Sequence, residues 1–361
     1  KALTAGLNYC EFKYREADYG AYPAGLMYGL QMMDSWLYDE KAPFLHIEAG
    51  DTYQALREKV NGRYFEELIE TKLLENPHRS LLILEPVRGL TERRERELAD
   101  RLSAFKASLT EEEIDRVVAQ TRELRAFQEQ EDSPEDLAKI PLLKREDIRR
   151  EVEPVILEER KIGEIPVLYH RIPTNGISYF RLLFDCGRVP DALFPYIGIL
   201  KAVIGLVDTE HYSYRELYTE TDLLTGGLTP VTNIYTDARD LSKRKITFEL
   251  KGKAFHKNLP DAMRLAQEML LKSDFTDTKR LAEILAELKS RMQSSLIGAG
   301  HTVASGRAMS YFSETAALQE VLGGMDFYRL VERLIGNWEQ EKQTLPGRLQ
   351  ALAQALFAGK T

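Results

Sequence analysis

The chain has 361 residues, 43% hydrophobic and 29% charged, and a formal charge of -8 at pH 7. At roughly 150 residues per domain, that length suggests about two domains, each able to bury its own core. The acidic balance runs against a polyanion-binding surface, so nucleic acid is not an expected partner, and no run of about 18 apolar residues signals a membrane span.

Residues 1–88 read mainly as helix. Leu26, Leu30, Met33 and Leu37 recur at helical spacing and predict a helix over Leu26–Tyr38; Phe65, Leu68, Ile69, Leu73 and Leu74 predict another over Tyr64–Glu75. Asn76-Pro77 stops the second, and Ser80–Glu85 then reads as one buried strand. A lone strand needs a sheet, so 1–88 is expected to be the C-terminal part of a domain whose first half lies upstream.

Residues 89–153 change character. Leu98, Leu102, Phe105 and Leu109 fall on one helical face among many Arg and Glu. Thr110 with Glu113 forms a capping box, and Ile114, Val117, Val118, Thr121 and Leu124 stripe the helix that follows. Two helices joined by a short turn predict an antiparallel hairpin with arms about 30 Å long, each stripe covered by the other arm. Ser133-Pro134 opens a short third helix, which Pro141 limits.

From 154 to 361 the pattern alternates. Expected strands are Val167–Arg171, Ile177–Asp185, Leu228–Tyr235 and Lys245–Lys251, with Asn175-Gly176 as a hairpin turn between the first two. Helices are expected over Ala192–Val207, Tyr214–Leu224, Leu259–Lys272, Thr278–Leu296, Ala316–Val321, Phe327–Ile335 and Pro346–Phe357. The longest apolar stretch, Ile197–Val207, is interrupted by Lys201 and fits a buried helix. Strands with short connections followed by helices predict an α+β fold, an antiparallel sheet with helices packed on one face.

Chemistry is sparse. No two of the six histidines lie within five residues, so the i, i+4 imidazole pair of a helical metal site is absent. His211, beside Glu210 and near Asp208, is the best local cluster for a metal, and it reads better as a polar loop at a helix end. Thr225-Gly226-Gly227 follows a helix and reads as its C-cap and turn; Gly298-Ala299-Gly300-His301 reads as a helix break. Ser295, Ser305 and Ser313 lack the strand-turn-helix setting of a nucleophile, and Glu92–Arg101 is a solvated helix face. The acid clusters Asp39-Glu40, Glu111–Glu113 and Glu151–Glu153 sit on expected surfaces. No catalytic, cofactor-binding or metal-binding residue is assigned. Two cysteines, Cys10 and Cys186, argue against a disulfide framework and suggest a reducing, cytoplasmic location. The start at Lys1, without features of a signal peptide, reads as a cut end.

Read in order, the segments carry a resemblance. Gly20-Ala21-Tyr22-Pro23-Ala24-Gly25-Leu26, Trp36-Leu37-Tyr38-Asp39, Asn76-Pro77-His78 and Leu84-Glu85-Pro86 look like the end of the second domain of the presequence-protease subfamily of insulinase-type zinc metallopeptidases. The hairpin and Pro141-Leu142-Leu143-Lys144-Arg145-Glu146-Asp147-Ile148 resemble the linker between that subfamily's halves. His170-Arg171-Ile172-Pro173-Thr174-Asn175-Gly176-Ile177, Thr225-Gly226-Gly227-Leu228 and Lys289-Ser290-Arg291-Met292 on to Gly323-Gly324 are similar to its third domain. The resemblance implies domains at 1–88, 89–153 and 154–361, with the linker as a strap between two halves that close around a chamber. It implies a non-catalytic, chamber-forming segment of a zinc metalloendopeptidase that degrades short unfolded peptides. The alternative is a catalytically inactive, partner-binding subunit of the same superfamily. The zinc motif, His-x-x-Glu-His, belongs to the family's first domain, and the matching third-domain helix, Phe194–Val207, carries neither His nor Glu. No cofactor is thus expected here, and zinc only in the parent protein. Expected partners are the remaining domains of the polypeptide and peptide substrates, with self-association through the uncovered apolar faces of 1–88.

Overall fold

The computed structural model describes residues 1–148, 150–152, 154–240 and 242–357. Glu153, the last residue of the expected linker, lies outside them. Close contacts gather the chain into two units: Lys1–Glu70 with Ile156–Thr361, and Thr71–Val155.

The first segment of the larger unit holds helices α1 (Ala2–Glu16), α2 (Ala24–Trp36), α3 (Gly50–Lys59) and α4 (Tyr64–Leu68), the last running into a π-helical turn, Ile69–Leu74. The expected continuous helix Tyr64–Glu75 is therefore widened over its second half.

In the smaller unit, α5 (Leu90–Ser108), α6 (Glu111–Glu129) and α7 (Pro134–Leu137) are helical as expected. The capping box is formed: the Thr110 N–H donates to Glu113 Oε2 at 2.9 Å, and the Glu113 N–H donates to Thr110 Oγ1 at 3.3 Å. Ser133 Oγ caps α7 by accepting from the Asp136 N–H at 3.1 Å. One expectation fails. Leu102, Phe105, Val117 and Leu124 are exposed, so neither arm covers the other's stripe. Leu109 and Thr110 are both extended, and this connection does not fold α6 back onto α5. The expected strand Ser80–Glu85 is also absent; the segment is irregular, with Leu81 87% and Leu84 84% exposed. Among the described residues no strand lies beside it, and an isolated strand cannot pair its own backbone groups.

The rest of the larger unit begins with a two-stranded hairpin, β1 (Glu158–Ile162) and β2 (Ile165–Tyr169), turning at Gly163 with φ +61°. β1 escaped the sequence reading, and it takes β2 as its partner. Asn175-Gly176 consequently joins no hairpin. It still adopts the left-handed turn its residues favour, at φ 51° and 83°, and feeds the chain into β3 (Ile177–Asp185). After β3 come α8 (Ile197–Val203), α9 (Tyr214–Leu224), β4 (Gly227–Thr236), β5 (Arg244–Phe255) and α10 (Leu259–Leu271). The chain continues with α11 (Thr278–Gly298), α12 (Gly300–Met309), α13 (Glu314–Gly323), α14 (Met325–Gly336), α15 (Trp338–Glu341) and α16 (Leu345–Phe357). α8 is shorter than expected because Pro195 sits in a 3-10 turn before it and Gly205, at φ +82°, follows it. α12, with little apolar content, gave no periodic signal.

The main sheet is antiparallel in the order β3-β5-β4, with Ile177 opposite Phe255 and Gly227 opposite Lys253. Strand alternation sends Phe180, Leu182 and Phe184 of β3 and Phe248 and Leu250 of β5 to one face. There they meet Ile199, Leu200 and Val203 of α8, Leu217 of α9, Leu265 of α10, Leu281 of α11, Leu334 of α14 and Leu349 of α16 in one core. This is the α+β arrangement expected, an antiparallel sheet with helices packed on one face; the other face is mixed, carrying Leu183 and Val231 beside polar side chains.

α1 packs on α9 and on α3. Its Phe12 joins Ile177 and Phe255 in a second small apolar cluster, the two rings 5.3 Å apart. Gly226 makes that approach possible, since a Cβ there would lie 2.3 Å from the Phe12 ring. Glu16 accepts from Lys253 Nζ at 2.7 Å and from the Tyr179 hydroxyl at 3.1 Å, and Asn175 Nδ2 donates to the Arg15 carbonyl at 3.0 Å.

Candidate functional site

The sheet face opposite the main helical layer carries a linked set of polar side chains, with α1 reaching only its Tyr179–Lys253 end. Glu249, on central β5, lies between Leu183 of β3 and Val231 of β4 and is fully buried. Its Oε1 accepts from the Tyr235 hydroxyl at 2.8 Å and from Thr247 Oγ1 at 2.7 Å, while Arg181 Nη1 lies 3.5 Å from Oε2. Arg181 also donates to Tyr235 Oη at 3.3 Å. Burial pushes the Glu249 carboxyl up, but hydrogen bonds from Thr247, Asn233 and Tyr235, with the Arg181 charge, outweigh it and hold the group below the usual carboxylate range. Burial and the bond to Glu249 push the Tyr235 phenol up. At the α1 end of this face, burial and Glu16 raise the Tyr179 phenol to about 12.

This geometry orients and does not react. Glu249 has no exposed surface from which to exchange a proton with a bound molecule, and general acid–base work needs direct reach. What it does is hold Arg181, whose side chain is 46% exposed, and Tyr235 toward the open face. A fixed guanidinium there suits the carbonyl or carboxylate groups of an extended peptide.

The His211 cluster resolves into a loop fastening. Glu268, buried on α10, accepts from the His211 N–H at 3.0 Å and lies 3.1 Å from His211 Nδ1. Burial raises the Glu268 carboxyl, yet the bonds from Thr209 and His211 win and lower it. Glu210 pairs with Lys272, and Asp208 accepts from the Tyr214 N–H at 2.7 Å. Zinc, which the resemblance implies for the parent, needs three or four N, O or S ligands around one point. Among the described residues no group of three or more His, Cys, Asp or Glu is so placed, and the residues of Phe194–Val207 include no His or Glu. The residues present do not fit the ion. Of the other histidines, His170 Nδ1 bonds the Ile156 carbonyl and His256 Nδ1 the Ser178 hydroxyl, at 2.8 and 2.6 Å. His46, His78 and His301 are exposed.

Thr225-Gly226-Gly227 closes α9 as expected: Thr225 Oγ1 donates to the Thr221 carbonyl at 2.7 Å and accepts from the Gly227 N–H at 2.9 Å. A second feature shows in the sequence only as an interruption of an apolar run. Lys201, the one cation in the apolar run of α8, borders a cavity of about 200 Å³ between α8, β4 and α13. Its signal was there, as a charge where periodicity demanded an apolar residue.

The family described as Peptidase M-16C associated matches residues 84–334. Protein HypA of Clostridium perfringens is 32% identical over 355 residues, covering 98% of this chain and 36% of that protein. Presequence protease 1, chloroplastic/mitochondrial, of Arabidopsis thaliana is 27% identical over 361 residues, 99% of this chain and 33% of that protein. The mitochondrial presequence protease of Xenopus laevis is 28% identical over 312 residues, 86% and 30% respectively. The chain thus spans about a third of the length of these curated relatives.

Proposed function

Since the chain belongs to the peptidase M-16C associated family, we propose that it is a chamber-forming segment of a zinc metalloendopeptidase acting on short unfolded peptides, and that it supplies no metal ligand or catalytic group itself. The observation that carries the reading is the match to a presequence protease along 99% of the chain. The sheet supports it physically: helices seal one face, while the other presents an anchored Arg181 and Tyr235 that can touch substrate without reacting with it. A wall of this kind selects by size and flexibility, because a peptide must be short and unfolded to lie along it. The uncovered Leu26 and Leu30 of α2, Leu37 just after it, and Leu81 to Leu84 of the smaller unit fit contacts with the remaining domains of the polypeptide and self-association of the isolated chain. Cys10 and Cys186, both free thiols, suit a reducing compartment, which we take to be the cytoplasm.

The test uses two proteins. The isolated chain should hold no stoichiometric zinc by elemental analysis and cleave no fluorogenic peptide. The longer polypeptide that contains it should do both. In that polypeptide Arg181→Ala should raise KM several-fold with kcat nearly unchanged, the pattern of lost ground-state binding. Cleavage by the isolated chain, or a collapse of kcat in the variant, would overturn the reading.

A further inference from the structure

Lys201 stands in an unusual position. Its side chain is half-buried on α8 against the 200 Å³ cavity, whose rim includes Thr232 of β4 and Gln319 and Gly323 of α13. Its ammonium makes no hydrogen bond or ion pair with any described residue, and no neighbouring charge acts on it. Burial alone pulls the amine below the usual lysine range. A partly desolvated ammonium without a counterion is unfavourable, and a methionine would fill the same space without that cost. The last turn of α13 adjoins the cavity and favours a positive charge there, but no carbonyl bonds the amine. The side chains of Thr232 and Gln319 likewise carry no hydrogen bond to a described residue. A half-buried ammonium, a half-buried hydroxyl and an exposed carboxamide, none bonded to a described residue, therefore border one small space.

We propose that this cavity is a carboxylate subsite, in which Lys201 receives the acidic group of a bound peptide, with Thr232 and Gln319 donating to the same carboxylate. The inference rests on the peptide-binding reading above and names a contact for it. The space is about six or seven waters in size, taking ~30 Å³ each, which admits a chain end or one acidic side chain and no folded partner. A cation selects an anion, and donors of the hydroxyl and amide kind complete a planar carboxylate. β4 is also an edge of its sheet among the described residues, so its outer backbone groups are available to a peptide main chain beside the cavity.

Three probes on the isolated chain test this: N-acetyl-trialanine as the free acid, the same peptide as its amide, and N-acetyl-Ala-Glu-Ala amide. At least one acidic form should bind about ten-fold or more tightly than the trialanine amide, and Lys201→Met should abolish the difference. Preference for the free acid assigns the cavity to a chain end, and preference for the glutamyl peptide to an acidic side chain; either supports the proposal. As a measurement that needs no variant, the acidic peptide should slow acetylation of Lys201 by acetic anhydride several-fold, read by mass spectrometry. Equal binding of all three peptides, indifferent to Lys201→Met, would overturn the subsite and leave the peptide reading standing. Binding of none would overturn both. Protection of Lys201 by acetate but by no peptide would also overturn the proposal, assigning the cavity to a free small acid.

Discussion

Phe12 gives the sharpest test of how α1 is held. It is 4% exposed against Ile177 and Phe255, stacked over the bare backbone of Gly226. A Phe side chain buries ~150–250 Å², which at ~25 cal per Å² is about 4–6 kcal/mol of transfer free energy. Truncation to alanine keeps part of that, and such replacements cost about 3–5 kcal/mol in packed cores. The cluster is small and lies at the sheet's end, where neighbours can partly close in, so Phe12→Ala should cost about 3 kcal/mol. The ion pair from Lys253 to Glu16 cannot compensate, because partly exposed pairs contribute about 0–1 kcal/mol. Urea unfolding measures the loss, and hydrogen exchange locates it. Amides of α1 should exchange much faster, while β5 and α16 keep their protection. Phe105→Ala, at a ring 60% exposed on α5, is the control and should change stability by no more than about 0.5 kcal/mol. A loss below about 1 kcal/mol for Phe12→Ala, with α1 exchange unchanged, would refute the packing argument.

Two further outcomes follow from named contacts. Because the folded-state pKa of Glu249 is lowered, its carboxylate stabilises the fold above the ordinary value of 4.5, and that contribution is lost as pH falls through the folded-state pKa. Glu249→Gln should therefore be less stable than the native chain at pH 7, and the gap in urea midpoint should shrink toward pH 3; a gap independent of pH would sink this account. Thr110→Ala should cost about 1 kcal/mol, confined to α6, and faster exchange at the first amides of that helix is the readout.

What was legible in the sequence was local or periodic. Thr110 and Glu113 are three residues apart and their bonds are made within that span, so the capping box needed no knowledge of the fold. β3 announced itself by strict alternation, and α9 by its apolar spacing. Misreadings arose where a segment's state depends on a distant partner. Leu81 to Leu84 have the composition of a buried strand, but composition supplies no neighbouring strand. Asn175-Gly176 has the turn it encodes, yet which strands a turn joins depends on pairing, and Gly163 had already given β2 to β1. The polar face was invisible for the same reason: Arg181, Tyr235 and Glu249 come from three strands, and only the register of the sheet brings them together. Lys201 was visible as an interruption, and its lack of a counterion among the described residues was not, since that depends on what α13 and β4 place around it.

The order β3-β5-β4 also sets a timetable for the ribosome. β5 occupies the middle of the sheet but is the last of the three strands to be made. Ile177 must wait for Phe255, its partner across the ladder, and at ~5–20 residues per second the intervening chain takes about 4–16 s to emerge. During that time β3 and β4 exist without the strand that pairs with both, and their apolar faces are open to other nascent chains. Phe12 waits longer still, since its cluster also needs Phe255. Translation speed between Asp185 and Arg244 should therefore govern the yield of soluble protein more strongly than speed anywhere in the helical segments that precede β1.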